Sequence, residues 1–329
     1  MKNSQTLLEV NNLKTYFYTE NGVIPSVDGI SFSIKKGETV GIVGESGCGK
    51  SVTSLSILNI VSSPGKIVDG EIIFNGDDIR HYSKSQLQKI RGNKISMIFQ
   101  EPLTSLNPVF TIGSQIVEAI NLHQKLKRPD AKKRAIEMLE EVGIPNPNKL
   151  YYYFPHMLSG GMRQRVMVAM ALSCNPELLI ADEPTTALDV TIQAQVLKIM
   201  KNLSIKLNTS IMLITHDLGV IAETADKVIV MYAGRIVEQN NVFDLFKEPK
   251  HPYTKGLLNS TPKIHQEKDS LESIIGNVPS PFEMPVGCKF NPRCPFAFEK
   301  CRIKEPPIQK FEDGSEVRCW LHEKEVMNE

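Results

Sequence analysis

Three glycines, a lysine and a serine at fixed spacing mark the stretch of this 329-residue sequence whose chemistry is easiest to predict. Residues 44–51 read Gly-Glu-Ser-Gly-Cys-Gly-Lys-Ser and fit the pattern G-x-x-x-x-G-K-[ST]. Glycines let backbone N–H groups point toward one anion without a clashing Cβ. Lys50 can reach nucleotide phosphates, and the Ser51 hydroxyl can ligate Mg²⁺. The pattern therefore predicts a site for a nucleoside triphosphate with Mg²⁺.

The neighbouring residues predict the elements that must position this stretch. Thr39–Val43 is a short β-branched apolar run, typical of a buried strand, and residues 51–60 have helix-compatible spacing. The helix N-terminus would add its positive dipole end to the anion site. A strand, a glycine loop and a helix are the context that the pattern needs. A chance glycine turn before a helix is the alternative interpretation.

Two carboxylates end a second apolar run. Residues 178–181 are apolar, and Asp182 and Glu183 follow at once, which predicts a buried strand with both acids at its carboxyl end. Asp182 is suited to hold Mg²⁺ through water, and Glu183 could polarise an attacking water as a general base. Unpaired acids at a buried strand end would be costly without a cation or donors. The alternative, an Asp-Glu helix cap, is therefore the weaker interpretation.

A glutamine and a histidine also follow predicted buried strands. Gln100 comes after the apolar run 95–99 and before a proline-bounded loop, where it can reach Mg²⁺ or a water. His216 follows the run 211–215, and the carboxyl end of a parallel strand would let it contact a γ-phosphate. Taken alone, Gln100 would more often be an ordinary surface residue, and a lone histidine is usually a satisfied surface or core group.

A serine and two glycines precede a further apolar helical stretch at residues 166–173. Ser159, Gly160 and Gly161 predict a second helix N-terminus that is open to an anion. Serine and glycine are also ordinary cap residues, so this short pattern alone leaves both interpretations open.

Three consecutive aromatic residues, Tyr16, Phe17 and Tyr18, lie between two predicted strands near the start of the chain. Residues 7–10 and 30–34 alternate like strands of an antiparallel sheet. An aromatic ring between them could stack on a purine base. Packing in a protein core is an equally good interpretation of each ring.

The composition narrows the class of protein. Thirty-eight basic and 37 acidic residues give a net charge of +1, so no strong field favours nucleic acid or an anionic membrane as a partner. No apolar run approaches the ~20 residues of a membrane span. Residues 1–6 lack the apolar core of a secretion signal. These features predict a cytosolic protein.

Four of the six cysteines lie in a proline-rich C-terminal stretch, at Cys288, Cys294, Cys301 and Cys319. In a reducing compartment we expect four such thiols to gather on a metal and not to form disulfides. Four thiolates suit tetrahedral zinc or an iron–sulfur cluster, and the tight C-x-x-C pairs of zinc ribbons are absent. Four buried cysteines without a metal are the alternative. Cys48 and Cys174 are interpreted as packing residues.

The ordered set of motifs resembles the nucleotide-binding subunit of an ABC transporter across roughly residues 5–250. The resemblance implies that Glu183 is the catalytic base, Gln100 the Q-loop residue and His216 the switch histidine. It also implies that Mg²⁺ is ligated by Ser51, Gln100 and Asp182. It implies nucleotide contacts in the A-loop, Walker A, signature, Walker B and D-loop segments, at Phe17, Gly44, Glu45, Ser46, Gly47, Cys48, Gly49, Lys50, Ser51, Val52, Ser159, Gly160, Gly161, Gln164, Asp182 and Asp189. Tyr16 is a near rival of Phe17 for stacking on adenine.

A narrower resemblance comes from residues 100–108, 230–234 and 251–254, which are similar to those of oligopeptide/dipeptide importer ATPases. It implies an α/β P-loop NTPase over residues 5–250, with a RecA-like core, an antiparallel β subdomain and a helical subdomain. A small irregular domain with the four cysteines would occupy residues 255–329. Some tails of this family carry a [4Fe–4S] cluster, so the resemblance favours that cluster over zinc.

The family also implies partners and a location. Two ATPase subunits, expected as a heterodimer with a homodimer as the alternative, would close head to tail around ATP and drive two transmembrane permeases. An extracytoplasmic binding protein would deliver peptide, and the subunit would lie on the cytoplasmic face of the inner membrane, without nucleic acid. The alternatives are a soluble ABC ATPase without a transport role, an importer of nickel or a glutathione-like solute, and a metal- or redox-sensing ATPase.

Overall fold

The structure, a computed structural model, describes residues 5–100, 105–186, 188–260 and 274–323. The chain forms two compact units. The first consists of Met1–Leu7, Ile34–Thr39 and His81–Ile214, and the second of Leu8–Ser33, Val40–Arg80 and Thr215–Glu329. In the described ranges, no helix is both long enough and apolar enough to cross a membrane.

Strands and helices alternate through most of the described chain. The strands are β1 (Thr6–Thr19), β2 (Gly22–Lys35), β3 (Thr39–Val43), β4 (Gly65–Phe74), β5 (Asp77–Asp78), β6 (Ile95–Ile98), β7 (Leu178–Asp182), β8 (Ser210–Ile214), β9 (Lys227–Tyr232), β10 (Arg235–Asn241), β11 (Gln309–Lys310) and β12 (Glu316–Val317). The helices are α1 (Lys50–Ile57), α2 (Lys84–Ile90), α3 (Ile112–Gln124), α4 (Arg128–Glu141), α5 (Pro147–Leu150), α6 (Gly160–Leu172), α7 (Val190–Leu207), α8 (Leu218–Thr224), α9 (Val242–Lys247), α10 (Pro252–Asn259) and α11 (Glu299–Ile303).

The first unit contains the parallel strands β6, β7 and β8, with β7 between the other two. Every residue of β7 and β8 is buried, as expected for parallel strands that are covered on both faces. The three buried strands predicted from apolar runs are therefore confirmed, each with bounds within a residue or two of the prediction. Asp182 is the last residue of β7 and so lies at a carboxyl end.

Among the helices between β6 and β7, α3 and α4 each bury one face. From the sequence, residues 130–142 are predicted as a helix with Asp130 as its N-cap and with Ala135, Met138, Leu139 and Val142 on one face. On α4 this face is confirmed, because all four residues are buried. The predicted N-cap is wrong: Lys127 is the N-cap and Asp130 lies in the first turn. A proline is well tolerated in the first helical turn, so the helix begins before Pro129. The Asp130 charge still complements the positive end of the helix dipole.

In the second unit, an antiparallel sheet has the strand order β2-β1-β4-β5. Leu8 pairs with Phe74 and Val10 with Ile72, and all four side chains are buried. The predicted antiparallel strands are confirmed, although β1 and β2 are longer than the alternation alone indicated. The long β1 carries Phe17 to its far end, where it pairs with Gly65.

A second sheet of this unit contains β3, which leads into the phosphate loop. β3 lies parallel to β9, and β12 and β11 follow beyond β10. β9 and β10 form an antiparallel hairpin, as the runs at residues 228–232 and 235–238 predict. The C-terminal pairing joins Glu238 to Val317. The described C-terminal residues thus share a compact unit with the phosphate loop, and the domain boundary near residue 250 stays a prediction.

Candidate nucleotide-binding site

The phosphate loop lies between β3 and α1, which confirms the strand, loop and helix order predicted for it. Gly44 has φ 152° and Gly49 has φ 102°, a backbone region that side chains disfavour. A Cβ on Gly44 would lie 2.2 Å from the Met231 carbonyl oxygen, and a Cβ on Gly49 would lie 2.3 Å from that of Ser26. These two glycines are therefore required both by conformation and by space.

The lysine of the loop is buried and folds back over it. Lys50 Nζ donates hydrogen bonds to the carbonyl oxygens of Gly44, at 2.7 Å, and Glu45, at 3.0 Å. Cys48 is buried beneath the loop, as its interpretation as a packing residue requires. Ser46 and Gly47 are exposed, so this side of the loop is accessible to an anion.

Ser51 and Val52 occupy the first turn of α1 and are half-buried. A helix of this kind presents its N-terminal N–H groups and its positive dipole end to the loop. The position is the one at which a serine hydroxyl can ligate Mg²⁺ bound to phosphates. Both residues remain predictions as nucleotide contacts.

Tyr16 and Phe17 point to opposite faces of β1, because side chains alternate along a strand. The Tyr16 hydroxyl donates to Asp28 Oδ1 at 2.7 Å. Thr15, on the same face as Phe17, has its hydroxyl 2.8 Å from that of Ser56 on α1. Phe17 thus shares the face that contacts the helix after the phosphate loop, and its role as the adenine-stacking residue stays a prediction.

His216 lies just beyond β8 and is exposed. Its neighbour Thr215 donates a backbone hydrogen bond to the Ile42 carbonyl oxygen at 3.2 Å. Ile42 belongs to β3, two residues before Gly44, and all these residues are part of the second unit. The histidine is therefore placed at the strand ends beside the phosphate loop, as its predicted role requires.

In the first unit, the structure brings together Gln100 and Glu183, which are 83 residues apart. Gln100 Nε2 donates to Glu183 Oε2 at 3.1 Å, and Thr186 Oγ1 donates to the same oxygen at 3.0 Å. Glu183 has φ 46°, an uncommon conformation for a residue with a side chain, and its N–H bonds to the Ile214 carbonyl oxygen. Such strain concentrates at functional sites.

Asp182 precedes this glutamate and is 3% exposed, opposite Ile214 of β8. Its burial at a carboxyl strand end agrees with the predicted position of an acid that serves a cation. The loop at residues 101–104, part of the segment predicted to follow Gln100, lies outside the described residues.

The serine and glycine motif forms the start of α6. Ser159 is the N-cap, and its Oγ accepts the Met162 N–H at 3.3 Å, so the cap interpretation is confirmed without excluding an anion site. Gln164, the fifth residue of α6, has a fully buried side chain, and neither of its amide atoms has a hydrogen-bond partner in the described part of the chain. Its contact with nucleotide stays a prediction.

Asp189 is exposed and begins α7 as its N-cap. Its Oδ1 accepts the Ile192 N–H at 3.0 Å. Ala187, two positions before Asp189, lies outside the described residues. The nucleotide role of Asp189 stays a prediction, and its capping role is a finding.

Sequence reasoning missed two residues that contact the phosphate loop. Tyr253 and Arg293 both bind Glu45, from positions more than 200 residues away along the chain. No local pattern marks either residue, since their partner is set by how the C-terminal region packs. Tyr253 was noted only as part of a motif that narrows the family resemblance.

The four C-terminal cysteines line one small cavity, together with His251, Phe290 and Trp320. The cavity measures about 10 Å³, which is room for about one water molecule. All six cysteines are free thiols. The four thiols therefore lie around one cavity, and the metal on which the sequence predicts that they gather stays a prediction.

Burial controls the chemistry of these thiols. It raises the pKa of Cys288 to about 11 and that of Cys319 to about 12, and it raises the pKa of Cys294. Across the ranges that the structure describes, no group of three or more His, Cys, Asp or Glu side chains is arranged to hold a metal ion. The donor chemistry fits thiolate ligation and the present spacing does not fit a single ion, so the [4Fe–4S] cluster and zinc stay predictions.

Comparisons with known proteins agree with this fold and site. Residues 27–186 match the ABC transporter family, and residues 237–301 match the oligopeptide/dipeptide transporter C-terminal region. A dimeric ATP-binding cassette, MJ0796 with ADP and Pi, has a TM-score of 0.65 at 26% identity and covers 72% of this chain and 99% of its own. The structure of cbiO1 from Clostridium perfringens, part of the ABC transporter complex cbiONQ, has a TM-score of 0.64 at 30% identity and covers 74% of this chain and 91% of its own. These matches and the phosphate loop define an ABC-type ATPase, and the predicted α/β fold is confirmed.

Curated relatives match over nearly the whole chain. The oligopeptide transport ATP-binding protein AppD of Bacillus subtilis is 59% identical over 97% of this chain and 98% of its own length. The dipeptide transport ATP-binding protein DppD of Escherichia coli is 49% identical over 95% of this chain and 96% of its own length. The chain belongs to the oligopeptide/dipeptide family of ABC transporter ATP-binding subunits.

Proposed function

We propose that the chain hydrolyses ATP to energise the import of oligopeptides or dipeptides. The observation that carries this proposal is the presence, on one chain, of a complete set of ATPase motifs and a C-terminal region of the peptide-transporter type. The relatives named for oligopeptide and dipeptide transport cover that chain almost end to end. The soluble ABC ATPase without a transport role is not favoured.

Seven of the predicted site residues have a defined role in this proposal. Lys50 and the loop N–H groups bind the phosphates, and Ser51 and Asp182 supply oxygen ligands for Mg²⁺. Glu183 aligns the attacking water as general base, with Gln100 as its hydrogen-bond partner. His216 stabilises the charge that develops on the γ-phosphate. Ser159 at the start of α6 serves the nucleotide of a second ATPase subunit.

ABC ATPases of this family work with a second ATPase subunit and with membrane permeases. We propose that the second subunit is a different chain, so that the pair is a heterodimer, with a homodimer as the alternative. The pair would sit at the cytoplasmic face of the inner membrane beneath two permeases. An extracytoplasmic binding protein would supply the peptide.

The test uses the complex that co-purifies with the full chain, reconstituted in vesicles. We expect ATP hydrolysis that peptide and binding protein stimulate, and accumulation of peptide inside the vesicles. Glu183→Gln should leave ATP binding intact and reduce turnover by at least about 100-fold, the scale of a lost general base. Unchanged turnover would mean that Glu183 is not the base. Stimulation by nickel or glutathione in place of peptide would assign the solute to the related importers instead.

We also propose that the four-cysteine cavity holds a [4Fe–4S] cluster, with zinc as the alternative. The supporting observation is that four thiols line one cavity. A cluster would bind one thiolate per iron, and the thiols would have to move outward to admit it, since the cavity is the size of one water. Anaerobic purification with iron, sulfide and zinc analysis tests this. If the purified protein contained no iron, sulfide or zinc, these cysteines would have only a packing role.

A further inference from the structure

Two side chains of the C-terminal region, those of Arg293 and Tyr253, form hydrogen bonds with Glu45 of the phosphate loop. Arg293 donates to the Glu45 carboxylate twice, from Nη1 to Oε2 at 2.6 Å and from Nη2 to Oε1 at 3.0 Å. The Glu45 N–H donates to the Tyr253 hydroxyl oxygen at 2.9 Å. Paired N–H···O bonds between a guanidinium and a carboxylate fix the orientation of both groups. All three residues belong to the second compact unit.

The Arg293 side chain is buried and has several partners besides Glu45. Its side chain is 4% exposed, whereas that of Glu45 is 29% exposed. The guanidinium also donates to the carbonyl oxygens of Ile274, at 3.4 Å, and Ile275, at 3.3 Å, and lies 5.8 Å from the Tyr232 ring centroid. The hydrogen bonds to Glu45 raise the pKa of Arg293, against the effect of burial. Arg293 is therefore a fixed, fully charged group.

Glu45 connects these C-terminal side chains to the residues predicted to bind nucleotide. Its carbonyl oxygen accepts from Lys50 Nζ at 3.0 Å, its N–H bonds to Tyr253, and its carboxylate binds Arg293. One loop residue thus connects the phosphate-binding lysine to the C-terminal region. A carboxylate within a phosphate-binding loop would repel a triphosphate if it were not neutralised, because like charges at short range disfavour binding.

The turn that contains Arg293 is bonded to residues that line the four-cysteine cavity. The turn Asn291–Arg293 lies between Cys288 and Cys294, both of which line the cavity. The Asn291 N–H and side-chain amide both donate to the Cys288 carbonyl oxygen, at 3.0 and 2.8 Å. The position of Arg293 is thereby set by the walls of the cavity and not by a flexible loop.

We propose that Arg293 is a positioning residue for ATP binding, which neutralises Glu45 and holds the phosphate loop in the shape that accepts a triphosphate. The inference rests on the proposed ATPase function and adds a residue outside the usual ATPase motifs. It gives the C-terminal region a defined task at the nucleotide site. It also predicts that charge, not only packing, carries the effect.

The experiment measures the affinity of the full chain for the fluorescent probe N-methylanthraniloyl-ATP with Mg²⁺. We expect Arg293→Gln to weaken binding about tenfold, since an uncompensated charge is left in the loop. Adding Glu45→Gln to that variant should restore binding to within about threefold of the unaltered chain, because the repulsive charge is gone. Arg293→Lys keeps the charge and loses the paired geometry, so its affinity for the probe should lie between that of Arg293→Gln and that of the unaltered chain.

The matched control is Arg302→Gln, at an exposed position, which should bind the probe as the unaltered chain does.

Charge repulsion has a second signature, because salt screens it. The defect of Arg293→Gln should shrink as ionic strength rises, whereas a packing defect would not respond. In ATP turnover by the complex, the same variant should raise KM more than it lowers kcat. Binding by Arg293→Gln equal to that of Arg302→Gln, or a double variant weaker than Arg293→Gln, would overturn the proposal. Failure of the unaltered chain to bind the probe would instead count against the ATPase function itself.

Discussion

At the scale of single residues, the site depends on backbone conformations that few side chains adopt. Gly44 and Gly49 combine a positive φ with a neighbouring carbonyl oxygen that a Cβ would contact. Glu183 adopts a positive φ although it has a side chain, and two donors hold its carboxylate. The first feature follows from the motif. The second was not predictable, because a glutamate after an apolar run does not indicate left-handed backbone.

Gly49→Ala tests the space around the loop. We expect it to weaken nucleotide binding at least about tenfold and to lower the free energy of unfolding by more than about 2 kcal/mol, since a Cβ would lie 2.3 Å from the Ser26 carbonyl oxygen. Gly76→Ala is the matched control, because Gly76 has φ 92° and no heavy atom within 4 Å of a built Cβ. It should lower stability by about 1–2 kcal/mol, the cost of the conformation alone, and leave nucleotide affinity unchanged. Equal binding by both variants would show that the close approach is unimportant.

At the scale of elements, several predicted site residues also cap helices. Ser159 begins α6 and Asp189 begins α7, each accepting a backbone N–H with its side chain. A capping residue is explained by local structure alone, which is why the short Ser-Gly-Gly pattern left two interpretations open. Substitutions that separate capping from anion binding can decide between them.

Ser159→Asp separates the two roles. Aspartate caps a helix as well as serine does, so we expect the free energy of unfolding to change by less than about 0.5 kcal/mol. The added negative charge should nevertheless reduce ATP turnover of the assembled complex by at least about tenfold if this helix end serves a phosphate. Ser159→Ala removes the cap and adds no charge. It should therefore lower the free energy of unfolding by about 1 kcal/mol and reduce ATP turnover less than Ser159→Asp does. Normal turnover by Ser159→Asp would leave this residue with a capping role only.

The hairpin of β11 and β12 depends on a carboxylate in its turn. Burial acts against ionisation of Asp313, but hydrogen bonds from Lys250 and Ser315 bring its pKa down to about 2. A carboxyl pKa that is lower in the folded state than its usual 3.8 stabilises the fold above about pH 4, and this contribution disappears as pH falls toward 2.

Asp313→Asn should therefore lower the free energy of unfolding at pH 7, by less than about 1 kcal/mol because the carboxylate is 41% exposed and solvent screens it. The difference from the unaltered chain should shrink between pH 4 and pH 2.5 in urea unfolding. The neighbouring exposed Glu312→Gln removes the same charge and should show neither effect. A difference that is independent of pH would mean that the hydrogen bonds, and not the charge, hold the turn.

At the scale of the whole molecule, family membership implies that one ATPase subunit acts with another. The helix start at Ser159 is exposed, as a surface that serves a second subunit must be. Nucleotide bound between two subunits would hold them together until it is hydrolysed, so a variant that binds ATP without hydrolysing it should trap the pair.

We expect Glu183→Gln forms of this chain and of its co-purified partner ATPase to associate with Mg²⁺-ATP and to separate with Mg²⁺-ADP, as measured by light scattering after size exclusion. Adding Lys50→Ala to the same chain should abolish association, since the phosphate-binding lysine is lost. Association of this chain alone would favour the homodimer. Separate subunits under both nucleotides would contradict the shared-nucleotide arrangement.

The amino-acid sequence by itself determined the phosphate loop, the buried strands and the family. Those features are local: glycine, lysine and serine at fixed spacing need a particular backbone, and apolar runs need burial wherever the chain places them. The exact N-cap of α4 was missed, because a proline in the first turn lets a helix start earlier than the nearest acidic residue indicates.

Only the tertiary structure decided which distant residues meet. It joined Gln100 to Glu183, bound Arg293 to Glu45 across 248 positions, and buried Gln164 inside the first unit. It also placed four cysteines on one cavity. Contacts at such separations depend on how elements pack and on the burial that this packing achieves, and no local spacing encodes that.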